Sequence, residues 1–185
     1  MAVSSEQPPH RLQLVLDFVN TLDLERHEDA LGTPDQLAGW LQGRGLLARP
    51  APTIGDTEHR EALELREALR EAVRAHTRPA ADAAPAAAVL DRTARAGELS
   101  VCFERTGDVR VAARAPGYPG ALAQLLVPVA RAAADGVWER VKACDADDCQ
   151  EAFYDRSRNR SGRWCDMAVC GNRTKVRAYR SKRAD

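Results

Sequence analysis

Four cysteines near the C-terminus constrain this chain more than any other feature. Cys144 and Cys149 form one pair and Cys165 and Cys170 the other, with four residues inside each pair and fifteen between the pairs. Two short-spaced pairs joined by a segment of about this length are how a chain brings four thiolates to one tetrahedral Zn²⁺, at Zn–S distances of about 2.3 Å. Two disulfides or an iron–sulfur centre would use the same residues. Disulfides suit a secreted chain, and the opening M-A-V-S-S-E-Q-P-P-H has neither the basic nor the apolar region of a secretory signal. Iron–sulfur centres are usually held at other spacings. The reading is therefore one structural zinc. A module this small buries too little to fold unaided, whereas structural zinc contributes about 10–16 kcal/mol of apparent binding free energy in finger peptides.

The spacing predicts a two-stranded knuckle over 144–154, then a basic loop, then a helix starting near Cys165–Cys170, a treble-clef-like arrangement. Phe153, Tyr154, Trp164, Met167, Val169, Val176 and Tyr179 are expected to support it. Charge suggests what the module does. Between 156 and 183 stand Arg156, Arg158, Arg160, Arg163, Arg173, Lys175, Arg177, Arg180, Lys182 and Arg183 against a single acid, Asp166. Such a patch is the electrostatic footprint of a nucleic-acid binder, because each phosphate neutralised releases condensed counterions. Arg173, Arg177 and Arg180 share one helical face by i, i+4, i+7 spacing, while Val176 and Tyr179 are expected to turn toward the zinc. Asn172 and Arg173 are residue types that contact base edges bidentately, unless they brace the metal site. A tetrathiolate zinc carries a formal charge of −2, which Arg163, Arg173 and Lys175 could offset. Docking to an acidic protein is the alternative to DNA.

The run W-C-D-M-A-V-C-G-N-R-T-K-V-R-A-Y-R, with F-Y-D-R-S-R-N upstream, resembles the CGNR zinc finger, whose name is the tetrapeptide found here at Cys170-Gly171-Asn172-Arg173. The likeness spans 141–183. In that family the finger follows an N-terminal domain called ABATE, and the pair is regarded as a stress-responsive transcription regulator. The stretch L-V-L-D-F-V-N-T-L-D, followed by T-P-D-Q-L-A-G-W-L, is similar to the opening of that domain. The resemblance implies zinc on the four cysteines and DNA as partner.

The expected fold class is α+β and mostly helical. Residues 1–140 form a helical domain with one small β-hairpin, for ligand sensing or dimerisation, and 141–185 form the finger. Net charge is zero overall, yet residues 1–140 carry 16 basic against 20 acidic side chains and 141–185 carry 11 against 7. A neutral whole with a basic end points to a local binding surface. No apolar run reaches the length of a membrane span, so the chain is expected in the cytoplasm. A homodimer is a further expectation, since regulators often read two half-sites.

Along the body, Leu14, Val15, Phe18, Val19 and Leu22 mark one face of a helix over 11–24, with Asp17, Asn20 and Thr21 on another side. Those three polar residues read either as the lining of a small-molecule pocket or as a hydrogen-bonded packing cluster. Thr33-Pro34-Asp35-Gln36 signals a helix start, with Leu37, Trp40 and Leu41 facing inward and Gly43 and Gly45 at its end. A long helix is predicted over 56–76, capped by Asp56 or Thr57, with Ala62, Leu65, Leu69, Ala72 and Val73 buried. Glu67–Arg70 and Glu71–Arg74 are expected as exposed pairs, and Arg66 as a solvated arginine that could reach an anionic ligand. The segment 78–88 reads as a connector into a helix stopped by Gly97. A hairpin follows over 98–113 with its turn at Thr106-Gly107-Asp108, then a helix over 118–142 bent or broken by Pro128. Cys102 is expected as a small buried residue.

Catalysis is not expected. Four cysteines close the metal's coordination shell, no histidine lies beyond His76, and no H-E-x-x-H, phosphate loop or nucleophile elbow occurs.

Overall fold

The computed structural model describes residues 10–50, 52–78, 82–181 and 183. Helix α1 (His10–Val19) buries Leu12, Val15, Leu16, Phe18 and Val19. It stops short of the expected residue 24. The hydroxyl of Thr21 turns back on the Phe18 carbonyl at 2.7 Å, a local bond that competes with helix continuation. The next residues form an unanticipated two-residue hairpin, β1 (Leu22–Asp23) against β2 (Glu28–Asp29).

Helix α2 (Pro34–Gly43) begins where the sequence places it: Thr33 Oγ1 accepts the Gln36 N–H at 3.2 Å and Pro34 fills the first turn. Leu37 and Leu41 are buried, and the half-buried Trp40 lies 5.3 Å from the Phe18 ring. Helix α3 (Asp56–Ala75) carries Ala62, Leu65, Leu69 and Val73 into the core. Its cap is Gly55, not Asp56 or Thr57, and the Glu58 carboxylate accepts the Gly55 N–H at 2.8 Å. The larger correction concerns Arg66 and Arg70. Both belong to the buried side of α3, at 3% and 2% exposure.

Helix α4 (Ala84–Ala96) packs along α3 and ends at Gly97, where an added Cβ would fall 2.0 Å from that of Ala123. Strands β3 (Ser100–Phe103) and β4 (Val109–Ala112) form the expected hairpin, with Phe103 opposite Val109. Neighbouring helices cover it only partly. Val101 and Val109 are exposed, and Phe103 is 80% exposed. Cys102, on the other face, is half-buried.

The single helix expected over 118–142 is two, α5 (Gly117–Gln124) and α6 (Leu126–Ala134). Proline 128 has no N–H for the Gln124 carbonyl and its ring crowds that oxygen, so α5 ends there. After α6 the chain turns at Gly136, at φ +67°, and a short 3-10 turn (Trp138–Arg140) leads into the finger. One continuous core runs from Leu12 through α3 and α5 to Val141, Ala143 and Ala152 of the finger. Among the described residues no helix is long and apolar enough to cross a membrane.

Candidate metal centre and basic surface

Strands β5 (Val141–Ala143) and β6 (Ala152–Tyr154) pair antiparallel and hold Cys144 and Cys149 in the loop that joins them. The second cysteine pair frames a helix start. Cys165 precedes Asp166, whose Oδ1 accepts the N–H groups of Ala168 at 2.6 Å and Val169 at 3.1 Å. Cys170 sits in the π-helical turn Met167–Gly171, which runs into α7 (Asn172–Ser181). The four sulfurs lie within 4.8 Å of one another, and Cys149–Cys165 and Cys165–Cys170 are each 3.7 Å apart. A tetrahedron with arms of about 2.3 Å has edges of about 3.8 Å, so this donor set fits one Zn²⁺. The thiols cannot all ionise without a cation. Hydrogen bonds from Cys149 and Cys165 hold Cys144 low, and contact with that charge pushes Cys149 up to about 12. A divalent ion removes that conflict. The knuckle-then-helix order is treble-clef-like, as the spacing predicts.

The apolar support differs from expectation. Cys144, Ala146, Cys149 and Cys170 pack with Trp164 and Cys165. Met167, Val169, Val176 and Tyr179 instead face solvent, Val176 at 48% and Tyr179 at 62% exposure. Helix α7 meets the cluster through its first turn, where Arg173 donates to Cys170 Sγ.

The finger is fastened to the body by hydrogen bonds that the sequence did not signal. Asn20 donates to the Ala152 carbonyl at 2.9 Å and accepts its N–H at 2.8 Å. Arg70 donates to Val19 O at 2.7 Å and Gln150 O at 3.0 Å. Alternate carbonyls of the β5 edge meet successive residues after α3. His76 Nδ1 lies 2.7 Å from Val141 O, Thr77 Oγ1 donates to Ala143 O at 2.8 Å, and Arg78 donates to Asp145 O at 2.7 Å. These groups would otherwise be unpaired at a strand edge.

The tetrapeptide at 170–173 is occupied locally. At Gly171 a Cβ would lie 2.5 Å from Met167 Sδ. Asn172 Nδ2 donates to Ala168 O at 3.1 Å, and Arg173 Nη2 donates to Cys170 Sγ at 3.5 Å while its Nη1 pairs with Glu25. Asn172 and Arg173 thus make contacts of the kind a bracing role requires. Among the described residues, Arg173 alone of Arg163, Arg173 and Lys175 bonds a ligand sulfur.

The basic tail is therefore smaller than it reads. Arg160 pairs with Glu139 at 2.9 Å, Arg163 with Asp145, and Arg177 with Asp148 at 2.7 Å. Arg156, Arg158, Lys175 and Arg180 are exposed and make no ion pair among the described residues. Arg183 stacks on Tyr179 at 5.6 Å. Lys182 lies outside the described residues.

Of the ligand candidates, Asp17 pairs with Arg44 and accepts from Gln13 at 2.7 Å, and Asn20 serves the finger. Arg66 is a correction. It is buried rather than solvated, and it holds Asp29 bidentately at 2.7 and 3.0 Å, with Thr21 Oγ1 at 3.4 Å. Asp17, Asn20, Thr21 and Arg66 do not converge on one cavity, because three of them bond within the packed core or across to the finger.

The arrangement defines a helical body sealed to a closed, structural zinc finger. Comparison with known families matches residues 12–138 to ABATE, described as "Putative stress-induced transcription regulator", and residues 140–183 to the CGNR zinc finger. The chain belongs to the ABATE family and carries a CGNR finger behind that domain. No curated protein matches it.

Proposed function

We propose that this chain is a cytoplasmic, stress-responsive transcription regulator that binds duplex DNA through its finger, with 1–140 as the regulatory body and 141–185 as the DNA-contacting unit. The carrying observation is the set Arg156, Arg158, Lys175 and Arg180, exposed around one zinc-ordered module with no acidic partner among the described residues. Unpartnered surface cations have no ion pair to give up on meeting phosphate. Arg173 and Arg177 would first have to leave Glu25 and Asp148.

Mobility shift of the full-length, zinc-loaded chain on random duplex tests this. Binding should weaken with salt, with a log–log slope near −4 for about four phosphate contacts. Absence of a shift at about 50 mM salt would sink the DNA reading. A second reading, docking to an acidic protein, is favoured by the exposed Val176 and Tyr179 beside Lys175 and Arg180. Absence of any shift would favour it.

In the same reading, the exposed face of β3–β4 takes a second copy of this chain. Its flanking charges are balanced within the hairpin, Glu104 with Arg110 at 2.6 Å, so a like surface is not repelled. Sedimentation equilibrium should show a dimer that Phe103→Ser dissociates. A wild-type monomer at all concentrations would refute it.

A further inference from the structure

A groove of roughly 420 Å³ lies where α1, the residue after α2 and α6 meet, away from the zinc. Three guanidinium groups border it, those of Arg11, Arg44 and Arg131, against one carboxylate, Asp17. That carboxylate is already engaged, since Arg44 and Gln13 both donate to it. Arg44 also lies over the Trp40 ring, at 5.0 Å. The exposed Arg11 and the half-buried Arg131 have no side-chain hydrogen bond or ion pair among the described residues. Leu14 and Pro128 supply apolar wall between these charges.

The half-buried Arg131 is partly desolvated without an acceptor, which is costly, and the exposed Arg11 adds a second unpaired guanidinium beside the same groove, so the groove favours an anion. The volume falls in the range of small-molecule sites. We propose that this groove binds a small organic anion, a carboxylate with an apolar body, with Arg11 and Arg131 taking the carboxylate and Leu14 and Pro128 the apolar part. Arg44 fixes the rim through Asp17 and Trp40. The assignment is independent of DNA binding. Helix α1 nonetheless links the two regions, because it carries Leu14 and Asp17 at the groove and is followed by Asn20, bonded both ways to Ala152 of the finger.

Calorimetric titration of the full-length, zinc-loaded chain with straight-chain monocarboxylates, acetate through decanoate, tests the proposal without DNA. Affinity should rise with chain length. Arg131→Gln and Arg11→Gln should each lower it about tenfold. Arg95→Gln, an exposed arginine on α4 paired with Asp91, should leave it unchanged. No heat from any carboxylate at millimolar concentration would overturn the proposal, as would binding that Arg131→Gln does not affect. Inorganic phosphate binding as tightly as decanoate would overturn it too, because the apolar wall would then have no part.

Discussion

Lys142 Nζ lies 2.8 Å from Asp155 Oδ2, and neither side chain is more than 6% exposed. Their remaining hydrogen-bonding capacity goes to the backbone of the basic loop. Lys142 also donates to Arg160 O and, at 3.0 Å, to Gly162 O, while Asp155 accepts the N–H groups of Ser157 at 2.9 Å and Gly162 at 2.8 Å. The pair therefore holds the loop that displays Arg156 and Arg158. Lys142→Met leaves a buried carboxylate uncompensated and should destabilise the finger by about 3–5 kcal/mol. Adding Asp155→Leu should recover only part of that loss, because the N–H groups of Ser157 and Gly162 then lose their acceptor. Thermal unfolding and amide exchange over 156–162 measure both, and an unperturbed single variant would contradict the assignment.

Asp29 supplies the pH dependence of the body. Burial acts to raise its pKa, but hydrogen bonds from Arg66 and the Leu31 N–H, with the Arg66 charge, outweigh it and hold the group below the usual carboxylate range. The unfolded chain thus takes up this proton first as pH falls. The stabilisation is fully present above the unfolded value of about 3.9 and is lost as pH drops through the lower folded value. Urea unfolding of wild type and Asp29→Asn should give curves that differ most above about pH 5 and converge in acid. Taking the difference between variants cancels the acid release of zinc. Parallel curves would show that the Asp29–Arg66 pair carries no such linkage.

Chelation of zinc should release part of the finger only. Helix α7 depends on the sulfur cluster, whereas Val141, Ala143 and Ala152 belong to the body's core and are held by Asn20, His76 and Thr77. Amide exchange after treatment with phenanthroline should therefore rise across α7 and little across β5 and β6, and added zinc should restore it. Persistent protection of α7 would show that the ion does not order it.

Arg173 and Arg180 should separate bracing from binding. Arg180→Ala should keep one zinc per chain, weaken DNA binding and reduce the salt slope by about one. Arg173→Ala removes the donor to Cys170 Sγ and leaves Glu25 without its partner, so zinc retention should fall first. Metal analysis after dialysis beside the shift assay reads both effects. The reverse pattern would make Arg173 the DNA contact.

The cysteine spacing, the Thr33 cap, the long α3 and the β3–β4 hairpin were legible in the sequence, because each rests on local chemistry. What escaped it depends on distant partners. Arg70 sits at a position that reads as an exposed i, i+3 mate of Glu67, and only the fold brings the Val19 and Gln150 carbonyls to it. His76, Thr77 and Arg78 look like a frayed helix end until β5 lies alongside them. Val176 and Tyr179 have the right helical phase to face the zinc, but phase cannot show that this face is left to solvent. Charge counting likewise overstated the basic tail, since Glu25, Glu139, Asp145 and Asp148 come to it from elsewhere in the chain.

Because Asn20 grips Ala152 from both sides, the finger has no free hinge of its own. If two copies bind duplex DNA as proposed, their fingers would be held at a span set by the bodies. Target sites should then tolerate changes in base sequence between their halves, but not the insertion of half a helical turn.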